Sequence, residues 1–596
     1  MKGKNATLRL GKNGSKQSSQ HSLSVCERNL PILDTFFIIW YNVGVKYPPG
    51  LYGESEKAMK RILSLLLVAV LLICAVTLVS CDIFGNGGTT NTPNCKHDDP
   101  TKVVVLDAVA PTCKETGLTE GLKCTLCGTS VIPQAIVPKA EHQFGEWGTN
   151  IAEDSIKETR ECNFCGEVER RDATFDIEKS VTVQFYCRGS VFNWSTYFDE
   201  FNKLYPNISI DFVSVGGYDE VYGSIVNGLQ PNIAFCNPDY VLQYNNYGKV
   251  ITLDQFIDSS IKITRADGST ETLGLTQAQV DDFIDGFYSE GRQFGDGLMY
   301  TLPFSKTTEL LYYNKTFFEE NNLEVPTTWD EMEALCARIK EIDPDCIPLG
   351  YDNESNLFIT LCEQFGSPYT SSVGEHYLFD NDTNRAFVKR IADWYDKGYI
   401  KTMETYGMYT SYLFIDQRSY MCIASSTGAT HLRPDKDKNG NYIFKVDIAR
   451  IPQVDPANSK VISQGHSLVM FDNGNTQETI ATWLFMKFLV TNAQLQADYS
   501  KALGYMPVIE SAKNVKSYSD YLKKADGGDN IMALSLKKSL EQSDAYFSIP
   551  AFVGSSNARG AVSQLLVTCM KQSKLGNMDS IIDDAFKAAL AKCEEK

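Results

Sequence analysis

Beyond Val181 the sequence alternates between two kinds of segment, and that alternation restricts the fold more than any other feature. "VTVQFYC", starting at Val181, is rich in β-branched and aromatic residues and reads as a strand. The next stretch, "NWSTYFDEFNKLYP", spaces its apolar residues three and four apart, the period of a helix with one packed face. "NISIDFVSV" is strand-like again, and the pattern continues. Strand, helix and strand at this spacing build βαβ units, so the expectation is an α/β protein with a mostly parallel sheet.

The 596 residues carry a net charge of −18, and 43% of them are hydrophobic. Nucleic-acid binding depends on Lys and Arg neutralising phosphates, so an acidic chain of this kind is not expected to take a polyanion partner. Solubility outside the cell is the plainer implication.

The longest apolar run lies well inside the chain. Met59, Lys60 and Arg61 precede "ILSLLLVAVLLICAV", and the run ends in "TLVSC" at Cys81 before glycines, threonines and asparagines. A positive start, an apolar middle and a small-residue end describe a secretory signal peptide. The "LVSC" ending resembles the lipobox of bacterial lipoproteins, which implies cleavage before Cys81 and acylation of that cysteine. A retained membrane-spanning helix is the alternative, since about 18 residues can cross a bilayer. On the signal-peptide reading, residues 1–58 are a misassigned upstream extension, 59–80 the leader and 81–94 a flexible tether. The expected location is the outer face of the cell membrane, held by lipid. Roughly 510 residues then remain, room for two to four domains.

The 17 cysteines fall into two populations. Those at Cys187, Cys236, Cys336, Cys346, Cys362, Cys422, Cys569 and Cys593 are scattered singly, as small buried hydrophobes are. Those between Cys95 and Cys165 cluster with histidines in two imperfect repeats, each ending in CxxCG. A CxxC turn puts two sulfurs side by side, and its glycine permits the left-handed backbone that wraps a metal. The repeats suggest one ligand set of His97, Cys113, Cys124 and Cys127, and another of His142, Cys162 and Cys165 with Cys95 as fourth member. Residues 95–172 are thus expected to form a Cys/His-rich stalk module holding structural zinc, with disulfides as the alternative. The segment resembles small CxxC repeats near the anchors of some bacterial surface proteins. A closed four-ligand site leaves no open position for catalysis.

The most specific passage is "YTLPFSKTTELLYYNKTFFEENNLEVPTTWDEM", Tyr300 to Met332. Its "LP" at Leu302 and Pro303, its "YYNK" at Tyr312 to Lys315, and Pro326, Thr328 and Trp329 resemble the family 1 extracellular solute-binding proteins, which share the maltose-binding-protein fold. Thr328 is a plausible N-cap for "WDEMEALCARIKEI", with Asp330 and Glu331 at the positive helix end. "SYMCIASSTGA", "SQGHSLVMFDNG" and the helix pair "ETIATWLFMKFLVTNAQLQADYSKALGYMPV" follow in the family's order, the pair read as amphipathic. Trp329, Trp394 and Trp483 are assigned to core.

The resemblance implies a two-lobed periplasmic-binding-protein-like α/β fold with crossover hinge strands, preceded by the Cys/His-rich module. Lobe 1 would comprise 178–310 and 463–548, and lobe 2 would comprise 311–462 and 549–596. Ligand would sit in the cleft and favour the closed state. The implied contacts are Arg188, Asn193, Trp194, Asn237, Asp239, Tyr240 and Glu309 from the first lobe. From the second lobe and the second crossover they are Asp352, Ser425, Ser426, Thr427 and His466. Each has a structural alternative: Trp194 and Tyr240 as core, Asp239 as a helix cap, Arg188 as half of a surface ion pair, His466 as a hinge histidine. Many relatives carry a tryptophan after the "ASS" turn, whereas this chain has Thr427 and Gly428, so the resemblance supplies no stacking platform there.

The functional expectation is a monomeric, membrane-anchored receptor that captures a carbohydrate, such as an oligosaccharide, and delivers it to an ABC permease without a cofactor. Sugars suit sites that combine aromatic faces with carboxylates and amides. A binder of a glycerol phosphodiester, peptide or polyol, or a sensor presenting ligand to a membrane kinase, is the alternative. A surface glycoside hydrolase would need two carboxylates flanking the bond, one with a raised pKa. The sequence contains no nucleophile elbow, HExxH or phosphate-binding glycine loop, so no enzyme is expected.

Overall fold

The computed structural model describes residues 97, 99–150, 156–188, 192–248 and 250–594. The upstream extension, the signal peptide, Cys81, the tether and Cys95 lie outside the described residues. The chain divides into two compact units, Met1–Leu106 with Gly121–Pro133 and Asp107–Glu120 with Gln134–Lys596.

In the first unit Val103–Leu106, Gly121–Cys124 and Ser130–Ile132 form a small antiparallel sheet. His97, Cys124 and Cys127 lie together here, with His97 Nδ1 4.0 Å from Cys127 Sγ. In the second unit, Gly148–Asn150, Lys157–Glu161 and Val168–Asp172 form a three-stranded antiparallel sheet, and Gly117–Leu118 pairs with Ile136–Val137. Cys113, His142, Cys162 and Cys165 converge in this unit. The expected ligand grouping is therefore corrected: Cys113 joins the second CxxC, not the first. Repeat alignment misassigned it because the pairing of Gly117–Leu118 with Ile136–Val137, and the bond from Ala140 N to Thr112 O, carry the Cys113 turn toward the later repeat.

The large sheet of the second unit has ten strands. In chain order they are β1 (Val181–Arg188), β2 (Ile208–Val215), β3 (Ile233–Cys236), β4 (Leu302–Asn314), β5 (Leu349–Tyr351), β6 (Ile400–Thr402), β7 (Met421–Ser425), β8 (Val446–Ala449), β9 (Val461–Met470) and β10 (Tyr546–Phe547). β1 pairs in parallel with β2 and β3, and β5 pairs in parallel with β6 and β7. Two long strands join these parallel sets. β4 pairs with β9 from Leu302 to Thr308, then with β7 from Glu309 to Tyr313. β9 runs antiparallel to β3 at one end and parallel to β10 at the other. The fold is the expected two-lobed α/β arrangement with strands crossing between its halves.

Local chemistry sets the helix boundaries. Thr328 caps Trp329–Ile342 in a reciprocal capping box with Glu331, as its position before the apolar period suggested. Helix Ser195–Leu204 follows β1 as expected. The pair at Thr476–Thr491 and Ala493–Leu503 also forms, but the first helix is not amphipathic. It is buried on nearly every face, because it packs beneath β1, β4 and β9 while Trp483 Nε1 donates to Leu273 O on its other side. Its one lysine, Lys487, is buried with Glu271 and the carbonyls of Thr272 and Gly274 as partners. Trp329, Trp394 and Trp483 are all core, and the eight scattered cysteines are buried free thiols.

Candidate functional site

The carboxyl ends of parallel strands are where an open α/β sheet offers its loops to a ligand. Here β1 ends at Arg188, β2 before Gly216 and Tyr218, and β3 before Asn237, while β5 ends before Asp352, β6 before the segment 403–415, and β7 at Ser425. These ends approach one another where β4 and β9 cross.

On the first side, Arg188 is exposed and close enough to Tyr218, His466 and Tyr505 to perturb their ionisation. The His466 imidazole is buried, its Nδ1 2.6 Å from the Tyr218 hydroxyl and its ring stacked on Phe235 at 5.3 Å. Burial, followed by the charges of Lys306 and Arg188, pulls its pKa down to about 3, so the ring is neutral. Tyr240 packs on Tyr218 at 5.3 Å between ring centres and donates to Asp219 at 3.1 Å. Asn193 is exposed and accepts from Ser195 Oγ.

On the second side, the Asp352 carboxylate accepts from Thr410 N at 2.6 Å and Thr410 Oγ1 at 2.7 Å, and burial raises its pKa. That clamp fixes the segment carrying Met408, Tyr409 and Tyr412, all at least half exposed. Ser425 and Ser426 each place a hydroxyl 2.8 Å from Thr307 Oγ1 on the crossover, and Ser425 Oγ accepts from Thr427 N. The Thr427 backbone adjoins Gly504, the residue before Tyr505. Arg188, His466 and the Ser425–Thr427 turn are thus brought to one region, with Tyr218 and Tyr505 alongside.

Beneath this region the crossovers share a buried polar network. Glu309 accepts from the Tyr351 hydroxyl at 2.5 Å and from Asn356 Nδ2 at 3.0 Å. Asn356 Oδ1 accepts from Arg559 Nη1 at 2.7 Å, and the Gln464 amide meets both residues. Asn237, Asp239, Gln464, Gly465 and Arg559 line one small cavity. Beside it the Lys306 ammonium, fully buried, pairs with Glu290 and donates to Ser467 Oγ at 3.0 Å.

Five expected contacts are buried and not on an open cleft wall: Trp194, Glu309 and Asp239, together with Ser426 and His466. Trp194 is 5% exposed, packed among Phe185, Phe192, Phe198, Phe304 and Tyr499, because the helix following β1 turns its first residues onto the sheet. Glu309 is 4% exposed, and both its oxygens are engaged by Tyr351 and Asn356. Asp239 does not cap its helix. Asn237 does so by accepting from Asp239 N, while Asp239 accepts from Ser555 Oγ at 2.8 Å and faces Arg559 at 4.0 Å. The fold also places Tyr218, Tyr505, Tyr409 and Tyr412 near these strand ends, which sequence reasoning did not single out. Tyr218 follows two glycines after a strand, and Tyr505 follows the helix-ending Gly504, so strand-end position was the available signal.

Two parallel strand sets, joined by crossing strands and presenting their carboxyl ends to a shared polar and aromatic region, define a receptor that holds a small solute between two halves. The chain belongs to the bacterial extracellular solute-binding proteins, whose family model matches residues 196–525. Among curated relatives, the sn-glycerol-3-phosphate-binding periplasmic protein UgpB of Salmonella typhimurium is 22% identical over 348 residues, covering 55% of this chain and 74% of the relative. Among solved structures, the cyclic alpha-maltosyl-1,6-maltose binding protein from Arthrobacter globiformis aligns with a TM-score of 0.55 at 17% identity, covering 70% of this chain and 99% of that one. The sugar-binding protein MalE from Xanthomonas citri gives 0.55 at 16% identity, covering 69% and 97%. UgpB from Mycobacterium tuberculosis, in complex with glycerophosphocholine, gives 0.50 at 16% identity, covering 69% and 98%. These structural likenesses are likenesses of fold. No described helix is long and apolar enough to cross a membrane.

Proposed function

We propose that this protein captures a neutral carbohydrate at the cell surface, held there by an acylated Cys81, and hands it to an ABC permease. The observation that carries the reading is the pairing of aromatic faces with neutral hydrogen-bonding groups at the strand ends. Tyr218 and Tyr505 lie on one side; Tyr409 and Tyr412, beside the Asp352 clamp and the Ser425–Thr427 turn, lie on the other. Aromatic faces cover the apolar C–H surfaces of a sugar, while carboxylates and hydroxyls take up its alternating hydroxyl groups. A solved sugar-binding protein and a cyclic alpha-maltosyl-1,6-maltose binding protein that share the fold support it.

Arg188 supports a second reading. An exposed guanidinium beside two tyrosines is a good partner for a phosphodiester, and the fold-sharing UgpB in complex with glycerophosphocholine points the same way. A thermal-shift screen separates the two. Ligand at a hundred times its dissociation constant adds about 2.7 kcal/mol to folded-state stability. A shift with neutral oligosaccharides, ligand unaltered afterwards, supports the sugar reading. A shift only with glycerophosphodiesters, abolished in Arg188→Ala, replaces it.

A further inference from the structure

We infer that Cys113, His142, Cys162 and Cys165 form a closed, structural zinc site that fastens three separate segments of the chain. The inference is independent of which solute the receptor takes.

Geometry is the first support. One ligand atom from each of the four residues lies within 4.8 Å of every other, and Cys165 Sγ is 3.2 Å from His142 Nδ1. A tetrahedral ion with Zn–S near 2.3 Å and Zn–N near 2.0 Å needs ligand atoms separated by roughly 3.5 to 4 Å, so the set is close to the required size. The residues arrive from a turn at 113, from position 142, two residues before the Phe144–Cys162 bridge, and from the CxxC turn at 162–165. A disulfide would use two of the three sulfurs and leave a thiol and an imidazole facing it; a metal uses all four.

The turn itself is the second support. Gly166 has φ +72°, its N–H donates to Cys162 O at 3.0 Å, and Cys162 N donates to Glu167 O at 2.8 Å. The other CxxC repeats this geometry: Gly128 has φ +74°, Gly128 N donates to Cys124 O at 2.9 Å, and Cys124 N donates to Thr129 O at 2.9 Å. Two sequence-distant turns adopt one conformation, and each brings its own two sulfurs within reach of a single ion.

The third support is what the segment lacks. Among its described residues in the second unit, Cys162 is buried and Ile156 belongs to the large core of that unit, while Val109, Ile136, Phe164 and Val168 are exposed. Arg160 and Arg171 instead cover the Trp147 ring, 4.7 and 4.2 Å from its centre. So small a core does not hold three segments in register, and small scaffolds of this kind depend on a metal or a cross-link. Three thiolates with one imidazole favour zinc over the hard cations.

The test uses the full purified chain, reduced, stripped with a chelator and refilled with Zn²⁺ alone or with Co²⁺. Cys113→Ser and Cys165→Ser should each lose about one zinc equivalent, and Co²⁺ should give thiolate charge-transfer and tetrahedral ligand-field bands that both variants weaken. Cys124→Ser should leave the Co²⁺ bands of this site in place. In the unaltered chain, alkylation read by mass spectrometry should find Cys113, Cys162 and Cys165 protected together and released by chelator without reductant. Unchanged zinc content in Cys113→Ser overturns the site. So does release of these cysteines by reductant alone, which would mark a disulfide.

Discussion

The Tyr351 hydroxyl donates to Glu309 Oε2 at 2.5 Å, and both residues are buried where β4 passes from one parallel set to the other. Burial pushes the Glu309 carboxyl up to about 7, against the opposing pull of bonds from Tyr351 and Asn356 and the charge of Arg559. An acid whose pKa is raised on folding binds its proton more tightly in the folded state, so stability falls as pH rises from the ordinary carboxylate range to about 7, then levels. A shift from 4.5 to about 7 corresponds to roughly 3 kcal/mol at most. In urea unfolding the wild type should therefore lose stability relative to Glu309→Gln between pH 5 and about 7, which appears as a different slope in the variant. An equal slope in the variant would assign the effect to another group.

His466 predicts the opposite trend. Its pKa falls to about 3 on folding, so the unfolded chain takes up a proton that the folded chain refuses, and stability drops as pH falls from about 6.5 toward 3. His466→Gln should therefore gain melting temperature relative to the wild type as pH falls from 7 to 5. The groups facing it are Tyr218, Tyr505, Lys306 and Arg188.

Gly465 supplies a backbone test of the crossover. Its φ is +129°, and a Cβ there would lie 2.3 Å from Ser305 O on the neighbouring strand. Alanine needs both an unfavourable backbone and a parting of β4 from β9, so Gly465→Ala should cost about 2 kcal/mol or more in chemical unfolding. A cost near zero would mean that the two crossing strands separate freely at this point.

The fold was more legible in the sequence than the site. Strand and helix types followed from residue chemistry at β1, β2 and Ser195–Leu204, and Thr328 with Glu331 announced a helix start that forms as read. These are local signals, settled within a few residues. The burial of Thr476–Thr491 on nearly every face was not legible, because a period of 3.6 cannot reveal that a second layer covers the outer face. The move of Cys113 to the later repeat, the Glu309 network and the engagement of Asp239 with Ser555 depend on contacts between residues tens to hundreds of positions apart. Strand-end position singled out Arg188 and Ser425, which the fold brings to one region, but could not separate exposed Asn193 from buried Trp194 one residue later.

Trp194 separates core from ligand contact directly. Its indole is enclosed by aromatic rings, so Trp194→Ala should lose about 3 to 5 kcal/mol of stability, while Trp194→Phe keeps most of it. Solute affinity per folded molecule should be unchanged in Trp194→Phe. A loss of affinity at wild-type stability would return Trp194 to the cleft wall.

The tyrosines at 409 and 412 carry the strongest test of how the second side meets its solute. They stand 59% and 51% exposed on a segment that Thr410 anchors to Asp352 at the end of β5. Exposed aromatic rings held on a fixed backbone have little to gain from folding and much to offer a flat apolar face. The double variant Tyr409→Ala, Tyr412→Ala should therefore leave the unliganded protein within about 0.5 kcal/mol of wild type, as surface substitutions usually do. Calorimetry with the best oligosaccharide from the screen should show at least a tenfold weaker dissociation constant, about 1.4 kcal/mol. Thr410→Val, which keeps the rings but removes the hydroxyl bond to Asp352, should weaken binding less. If the double variant binds sugar as tightly as wild type, stacking is confined to Tyr218 and Tyr505. If it loses stability instead, the two rings pack within the fold and serve no ligand.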